Sequence, residues 1–373
     1  MEDLKALVIM PPILFSSEAK VAVAFSRVLK EYGFSKQYGI FLEKNGLSDI
    51  FKLSPDLAYS LDIIDTKIKL VKGPVISGLI DYIIVKLTKL LKNVNLSVNL
   101  YYTEIPLGLD LTYVIYPPSV MFYKDLLYSK YKNLRKLYLS ANMRILEKLA
   151  NSDRLICSSY YIKSIMENTF KYNCSVVYPP VMNIEKYDNV ERENLVVGVG
   201  KYVEPKHWDE FIQIAKKVRQ VNNKIKFKII GGLNYVKSSR KYFEYLKNIA
   251  GDNVELLIDV PESEKWKLFH KAKIILHCMR NDNISLGVEE AMSVGVVPVV
   301  YRATGSWIDI TKEGKYGFSY SNIDEASNII LELIRDENLY MKMSEASKER
   351  AVEFSYDTFK SRLGSILKTI RKE

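Results

Sequence analysis

The chain has 373 residues and a formal net charge of +10, and 48% of its residues are hydrophobic. This length predicts two domains, and the composition excludes disordered, collagen-like and low-complexity proteins. The longest apolar runs, such as Gly295–Val300, are too short to span a membrane, and Met1–Lys5 does not resemble the start of a signal peptide. We therefore expect a cytoplasmic protein, either soluble or peripheral on the cytoplasmic face of a membrane.

Short apolar stretches alternate with helical patterns along the whole chain, which is typical of parallel βαβ units. In the first half, the candidate strands are Lys5–Met10, Gly39–Leu42, Lys67–Val71, Leu111–Tyr116 and Asp153–Ser158. The helical patterns between them are Ala19–Tyr32, Val75–Lys92 and Phe122–Ala150. This order predicts a first doubly wound, Rossmann-like parallel sheet.

The second half repeats the same scheme. Its candidate strands are Leu195–Gly200, Lys226–Gly231, Asn253–Ile258, Lys273–His277 and Val296–Val300. Its helical patterns are His207–Gln220, Lys241–Ala250, Glu264–Lys271, Leu286–Val294 and Tyr356–Arg371. In the first of these helices, apolar residues recur on one face and Lys and Arg occupy the other. We therefore expect a second α/β domain.

A domain boundary is predicted where Tyr178-Pro179-Pro180 is followed by the polar stretch Asn183–Asn194. We assign residues 1–185 to the first domain and residues 186–355 to the second. Residues 356–373 form a C-terminal helix that we expect to pack back toward the first domain. Two open parallel sheets facing each other would place a ligand cleft at the carboxyl ends of their strands.

The cysteines, Cys157, Cys174 and Cys278, are scattered without a Cys-x-x-Cys pair, and the chain has only 3 His. We therefore expect neither a disulfide framework nor a structural zinc site, and a reducing compartment. The excess of 54 Lys and Arg over 44 Asp and Glu favours an anionic partner. Nucleic acid, an acidic membrane surface and a phosphate-bearing small molecule all fit that charge.

The segment Lys273–Val300 carries the most informative pattern. A buried strand is followed by a polar loop, and a helix starts near Leu286. Helix N-termini present unpaired amide groups and a partial positive charge, which suit a diphosphate. Asp282 precedes this helix and Glu290 lies inside it, where carboxylates can accept hydrogen bonds from sugar hydroxyls. A capping role for Asp282 and a solvated surface position for Glu290 are the structural alternatives.

A second informative segment is Leu195–Lys206. Its strand ends at Gly200, and Lys201 and Lys206 bracket the turn that follows, as a clamp for a diphosphate would. The alternative is two solvated lysines in a lysine-rich protein. Gly232 follows the next strand and allows close backbone approach, although a turn that needs positive φ explains it equally well.

Together these segments resemble the retaining, nucleotide-sugar-dependent glycosyltransferases of family 4, which have the GT-B fold. The acid–seven residues–Glu element of that family corresponds to Asp282…Glu290, and its basic element to Gly200-Lys201…Lys206. The motifs are most similar to those of mannosyltransferases that extend lipid-linked oligosaccharide. Further counterparts are Tyr113–Pro117, Cys157–Ser159, Val177–Pro180 and Leu276–Asp282. The resemblance covers roughly residues 110–350, and the first hundred residues match only in outline.

The resemblance implies transfer of a hexose, such as mannose, from a GDP- or UDP-linked donor to a glycan or lipid-linked acceptor. It implies no cofactor and no metal, in agreement with the absence of an Asp-x-Asp motif. The catalytic residues it implies are Lys201 and Lys206 at the donor diphosphate, Asp282 at the donor sugar and Glu290 at the ribose. The further donor-binding residues are Gly200, Ser285, Leu286, Gly287, Gly232, Ser16 and Ser17.

The sequence departs from the family pattern at several of these positions. Lys201 replaces the usual Arg, and Asp282 replaces a Glu that is one methylene longer. Ser16-Ser17 stands in the place of a Gly-rich loop, and Ile115 replaces a His that supports catalysis. These departures keep open an alternative: a catalytically weakened GT-B relative that binds a glycan or a nucleotide.

Two basic, amphipathic stretches are candidates for contact with an anionic membrane. Val75–Lys92 has apolar residues at helical spacing and lysines on its polar side, and Tyr123–Lys148 interleaves basic residues with Leu and Tyr. Ordinary domain helices with solvated basic faces are the structural alternative. Nucleic-acid binding is not expected, because no helix-turn-helix, zinc or RNP pattern is present. Besides the glycosyltransferase and the weakened relative, a third hypothesis is a basic nucleic-acid or membrane adaptor that has this fold but no donor site.

Overall fold

The computed structural model describes residues 4–10, 17–41, 63–66, 68, 76–100, 109–115, 154–187, 190–233, 237–303 and 305–370. The chain divides into two compact units. Unit 1 comprises Met1–Pro180 and Phe359–Glu373, and unit 2 comprises Val181–Thr358. Within the described ranges, no helix has the length and apolar character needed to cross a membrane.

Unit 1 contains a parallel sheet whose described strands have the order β3-β2-β1-β4-β5-β6-β7. The strands are β1 (Lys5–Met10), β2 (Lys36–Phe41), β3 (Ile63–Asp65), β4 (Leu96–Asn99), β5 (Leu111–Val114), β6 (Arg154–Cys157) and β7 (Ser175–Val176). The helices described between them are α1 (Ser17–Glu31), α2 (Ile76–Lys92) and α3 (Tyr160–Phe170). β1 is apolar and buried on both faces, as a central parallel strand must be when helices cover the sheet.

The predicted strands of unit 1 correspond to β1, β2, β5 and β6, whereas β4 and the edge strands β3 and β7 were not predicted. The edge strand β3 (Ile63–Asp65) pairs with β2. Of the strand predicted at Lys67–Val71, only Ile68 is described and it is not in a strand; the other residues lie outside the described part of the chain. The helix predicted at Phe122–Ala150 and the basic stretch Tyr123–Lys148 lie outside the described residues.

A disulfide joins Cys157, the last residue of β6, to Cys174, which precedes β7. The sequence analysis expected no disulfide framework and did not predict this bond, and its argument from cysteine usage for a reducing compartment no longer holds. The two cysteines are 17 residues apart, with Cα atoms 5.8 Å from each other. Only the parallel pairing of β6 with β7 brings them together, so no local sequence motif marks the pair. Cys278 is a buried thiol.

Unit 2 contains the second parallel sheet, with its described strands in the order β10-β9-β8-β11-β12-β13. The strands are β8 (Glu193–Val199), β9 (Lys226–Gly231), β10 (Glu255–Ile258), β11 (Ala272–His277), β12 (Val297–Tyr301) and β13 (Phe318–Tyr320). The predicted strands of this half are confirmed with bounds that differ by at most two residues, whereas β13 was not predicted.

Helices cover both faces of the unit 2 sheet in the doubly wound manner. They are α4 (Trp208–Val221), α5 (Lys237–Ala250), α6 (Glu262–Lys271), α7 (Leu286–Ser293), α8 (Ile323–Arg335) and α9 (Glu337–Ala351). In α4 the predicted apolar face is buried against the core, and Lys216 and Lys217 on the other face are exposed. The last helix, α10 (Tyr356–Ile370), returns the chain to unit 1, where the ring of Phe359 packs edge-on against Phe25.

Candidate functional site

The strand order of unit 2 reverses between β8 and β11, which are hydrogen-bonded neighbours. In open α/β sheets, ligands bind outside the carboxyl ends of the strands at such a switch point. The segment after β8 carries Gly200, Lys201 and Lys206, and the segment after β11 carries Asp282 and the start of α7. The two motifs singled out in the sequence therefore lie at the same edge of the same sheet.

The turn after β8 depends on a glycine. Gly200 has a φ of +152°, and a Cβ atom there would lie 3.0 Å from Cε of Lys206 and 3.3 Å from the ring of Trp208. The Lys206 side chain therefore packs directly over the Gly200 backbone. Trp208 is buried at the start of α4, and its indole Nε1 donates to the carbonyl oxygen of Lys201 at 2.9 Å. This bond ties the turn to the core and fixes the backbone that carries both lysines.

The first turn of α7 lies against the end of β8. A Cβ atom on Gly287 would lie 3.1 Å from Cγ1 of Val199, so a larger residue would require Val199 to shift by a few tenths of an ångström. Ser285 is the N-cap residue, and its carbonyl oxygen accepts from the amides of Val288 and Glu289. In the part of the chain that the structure describes, no group accepts a hydrogen bond from the amides of residues 286 and 287. This helix end can therefore bind an anion.

Asp282 is buried within a hydrogen-bond network. Its Oδ2 atom lies 2.6 Å from Nε2 of His277 and accepts from Oγ of Ser306 at 3.0 Å. Burial raises the pKa of Asp282, but the hydrogen bond and charge of His277, the charge of Lys206 and the Ser306 hydroxyl lower it to about 2. The positive charge of Lys206, on the turn after β8, thus helps to lower the pKa of this carboxyl. Asp282 is therefore an ionised group in a buried network, not merely a loop cap.

Glu290 is also buried, so the solvated position considered for it is wrong. Its Oε2 atom accepts from Nζ of Lys265, on α6, at 2.8 Å. The neighbouring Glu289 is fully buried, and neither of its carboxylate oxygens has a hydrogen-bond partner in the described structure. Burial, supported by the charge of Glu290, raises the pKa of Glu289 well above its ordinary value. The two adjacent acids of α7 therefore differ: Glu290 has an ammonium group as its partner, whereas burial favours the neutral form of Glu289.

The remaining predicted residues have different places. Gly232 follows β9 at the same edge of the unit 2 sheet, and its carbonyl oxygen accepts from the amide of Tyr202 at 3.0 Å. A Cβ atom on Gly232 would lie 3.1 Å from Oδ1 of Asp259. Ser17 begins α1 in unit 1, whereas Ser16 lies outside the described residues. Ile115, where the family resemblance implies a His, follows β5 in unit 1.

Lys265, Ser306 and Glu289 were not predicted, and His277 was left open. Lys265 lies in a segment that reads as a charged surface helix, so only the tertiary packing of α6 against the α7 carboxylate identifies it. Ser306 and Asp282 are 24 residues apart, and no local spacing connects them. For His277, its position as the last residue of the strand before Asp282 was a usable signal.

Residues 182–350 match the family model described as Glycosyl transferases group 1. A GDP-Man:Man(3)GlcNAc(2)-PP-Dol alpha-1,2-mannosyltransferase from Dictyostelium discoideum is 24% identical over 267 residues, 65% of this chain and 52% of that protein. An uncharacterized glycosyltransferase from Methanocaldococcus jannaschii is 27% identical over 213 residues, 56% of this chain and 57% of that protein. The chain thus spans about half the length of the curated relatives it matches.

The fold has counterparts over nearly the whole chain. HepE from Anabaena, crystallised in complex with UDP and glucose, gives a TM-score of 0.74 at 12% identity over 98% of this chain and 99% of that one. With the two doubly wound sheets, this likeness confirms the predicted GT-B fold class. The match over residues 182–350 and the similarity to the Dictyostelium protein confirm the predicted resemblance to glycosyltransferases of the mannosyltransferase type.

Proposed function

We propose that this chain is a retaining glycosyltransferase that moves a hexose from a nucleotide-diphosphate sugar to a glycan or a lipid-linked acceptor. One observation carries the proposal. At the switch point of unit 2, the Lys206 side chain packs over Gly200 and its charge lowers the pKa of Asp282, and the first turn of α7 packs against the end of the same strand. A cation, a carboxylate and a helix N-terminus at one sheet edge suit a diphosphate that is linked to a polyol.

The chemistry follows from these groups. Lys201, Lys206 and the α7 amides stabilise the negative charge that develops on the leaving nucleotide diphosphate. Asp282 accepts hydrogen bonds from the donor sugar, and Glu290 accepts them from the ribose. In the front-face displacement described for retaining enzymes, the diphosphate itself serves as base. Turnover is then compatible with Ile115 in place of the family His, and we expect no cofactor and no metal ion.

The name of the Dictyostelium relative makes GDP-mannose the first donor to test. The melting temperature of the purified full chain should be measured with GDP-mannose, UDP-glucose or ADP-glucose, and the release of nucleotide should be followed with each donor. We expect one of these donors to raise the melting temperature and to be hydrolysed slowly, and EDTA should change neither result. The anomeric configuration of the product, read by NMR, should match that of the donor. No stabilisation together with no hydrolysis by any donor would refute the proposal.

A lysine variant tests the site itself. Lys206→Ala should lower kcat by about a hundredfold, because it removes a charge that acts on the leaving group. Lys217→Ala is the matched control, since this lysine is exposed on α4 and pairs with Asp324. Equal activity of the two variants would contradict the assignment of Lys206.

The second candidate function, a binding protein with little turnover, is favoured by Ile115 alone. It predicts that nucleotide sugars bind and stabilise the chain but are not consumed. Turnover that disappears in Lys206→Ala would exclude it.

For the acceptor side, we propose that α2 contacts an anionic membrane surface. Apolar side chains near the end of this helix are exposed, among them Leu87, Leu90 and, with 82% of its surface exposed, Leu91. Lys86, also exposed, and the net charge of +10 complement anionic lipid. Co-sedimentation with vesicles of phosphatidylcholine and phosphatidylglycerol should weaken in Leu91→Glu and persist in Val221→Glu, which changes an exposed residue of unit 2. Equal binding by both variants would exclude this surface.

A further inference from the structure

Lys265 is a buried lysine of the candidate site that no sequence motif marks. Only 8% of its side chain is exposed, and the side chain of its partner Glu290 is 3% exposed. Its Nζ atom also donates to Glu262 at 2.7 Å, one helical turn earlier, and lies over the rings of Trp266 and Phe269. The ammonium group is thus held from several sides, which restricts the position of the carboxylate that it contacts.

A positive charge is needed at this point because two acids are adjacent on α7. Glu289 and Glu290 are both buried, and Glu289 has no hydrogen-bond partner in the described part of the structure. A buried carboxylate without a counter-ion tends to take up a proton. Lys265 supplies the counter-ion to one of the two acids, and a protonated Glu290 would offer one acceptor fewer to a ligand.

We propose that Lys265 is a positioning residue that holds Glu290 ionised and oriented for the ribose hydroxyls of the donor nucleotide. This inference rests on the proposed function. It adds a residue on α6 to the nucleotide site, and it gives the contact between α6 and α7 a role in ligand selection. The site then recognises a ribonucleoside diphosphate through a carboxylate whose geometry depends on a lysine that itself need not touch the ligand.

The test compares nucleotides with and without the ribose hydroxyls. Binding of GDP and 2′,3′-dideoxy-GDP, and of the matching uridine pair, should be measured by calorimetry on the full chain and on Lys265→Met. The wild type should prefer the ribonucleotide. In Lys265→Met we expect ribonucleotide binding to weaken about ten- to hundredfold, which is the range for a hydrogen bond to a charged group. Binding of the dideoxynucleotide should be unchanged.

Two further variants separate positioning from folding. Lys273→Met is the matched control, because Lys273 is similarly buried, pairs with Glu337 at 2.6 Å and lies over the ring of Tyr340. It should retain the wild-type preference for ribose. Lys265→Met combined with Glu290→Gln removes both charges of the buried pair, which is tolerated better than removing one. The ratio of ribonucleotide to dideoxynucleotide affinity in this double variant should equal that of Glu290→Gln alone.

The outcomes are distinct. Equal weakening of ribo- and dideoxynucleotides in Lys265→Met would overturn the inference and leave the proposed function standing. The inference would also be overturned if the double variant lost as much ribonucleotide affinity as Lys265→Met and Glu290→Gln lose together. If the wild type binds neither GDP nor UDP, the proposed function fails and the inference fails with it.

Discussion

Replacing Asp282 by Asn should remove one negative charge from a buried network while keeping an oxygen that can accept hydrogen bonds. Burial alone raises the pKa of this carboxyl, yet His277, Lys206 and Ser306 lower it from 3.8 to about 2. Each pKa unit corresponds to about 1.4 kcal/mol, so the ionised form contributes about 2 kcal/mol to the stability of unit 2 at neutral pH. Because the folded-state pKa is lowered, this contribution is present above the ordinary pKa and is lost as the pH falls toward 2.

Urea unfolding followed by tryptophan fluorescence measures this directly, because every tryptophan of the chain lies in unit 2: Trp208, Trp266 and Trp307. Asp282→Asn should be less stable than the wild type by about 2 kcal/mol at pH 7, and the deficit should shrink below pH 4. Asp324→Asn is the control: this acid is exposed on α8, and its loss should cost less than about 1 kcal/mol. A deficit that is the same at pH 3 and pH 7, or no deficit at pH 7, would refute the reasoning.

Three further predictions concern other buried groups. Burial raises the pKa of Glu289, so its contribution to stability is lost as the pH rises through that pKa. Glu289→Gln should therefore have a higher free energy of unfolding in urea than the wild type at pH 8, and the difference should be smaller at pH 5. An equal difference at the two pH values would contradict this. Because Cys157 and Cys174 are bonded, the denatured, unreduced chain should titrate one thiol and the reduced chain all 3. Reduction should cost about 3 kcal/mol, and three thiols without reductant would exclude the bond. In Gly198→Ala the new Cβ would lie 2.7 Å from Cζ3 of Trp208, which should cost about 1–3 kcal/mol in thermal unfolding; an unchanged melting temperature would contradict this.

The architecture of unit 2 was predictable because its strands are short, apolar and clearly separated by amphipathic helices. β9 (Lys226–Gly231) has the predicted bounds. In unit 1 the same reasoning placed β1 correctly and failed at β3 and β4 (Leu96–Asn99). β4 contains Ser97 and Asn99, which are polar yet buried, and the side chain of Asp110 accepts from both the amide and the hydroxyl of Ser97. A strand stabilised by such a long-range polar contact has no hydrophobic pattern that reveals it.

The candidate site divides in a similar way. Gly200, Lys206 and Asp282 could be identified from sequence because a strand end, a glycine and a charge occur close together along the chain. Their proximity in space follows from the strand order, in which β8 and β11 are neighbours. The partners of the two carboxylates, Lys265 for Glu290 and His277 for Asp282, depend on side-chain packing between elements. Sequence spacing therefore predicted which groups lie at this edge of the sheet, but not which groups pair with them.

The two ends of unit 2 meet. Val181, its first residue, forms an isolated parallel bridge with Ser355, and its amide donates to the carbonyl oxygen of Phe354 at 2.7 Å. The chain therefore enters and leaves unit 2 at neighbouring positions. Domains whose termini lie close together tolerate insertion into another protein. A gene segment encoding residues 181–358 should for that reason be transplantable into an exposed loop of a carrier protein without stretching either junction.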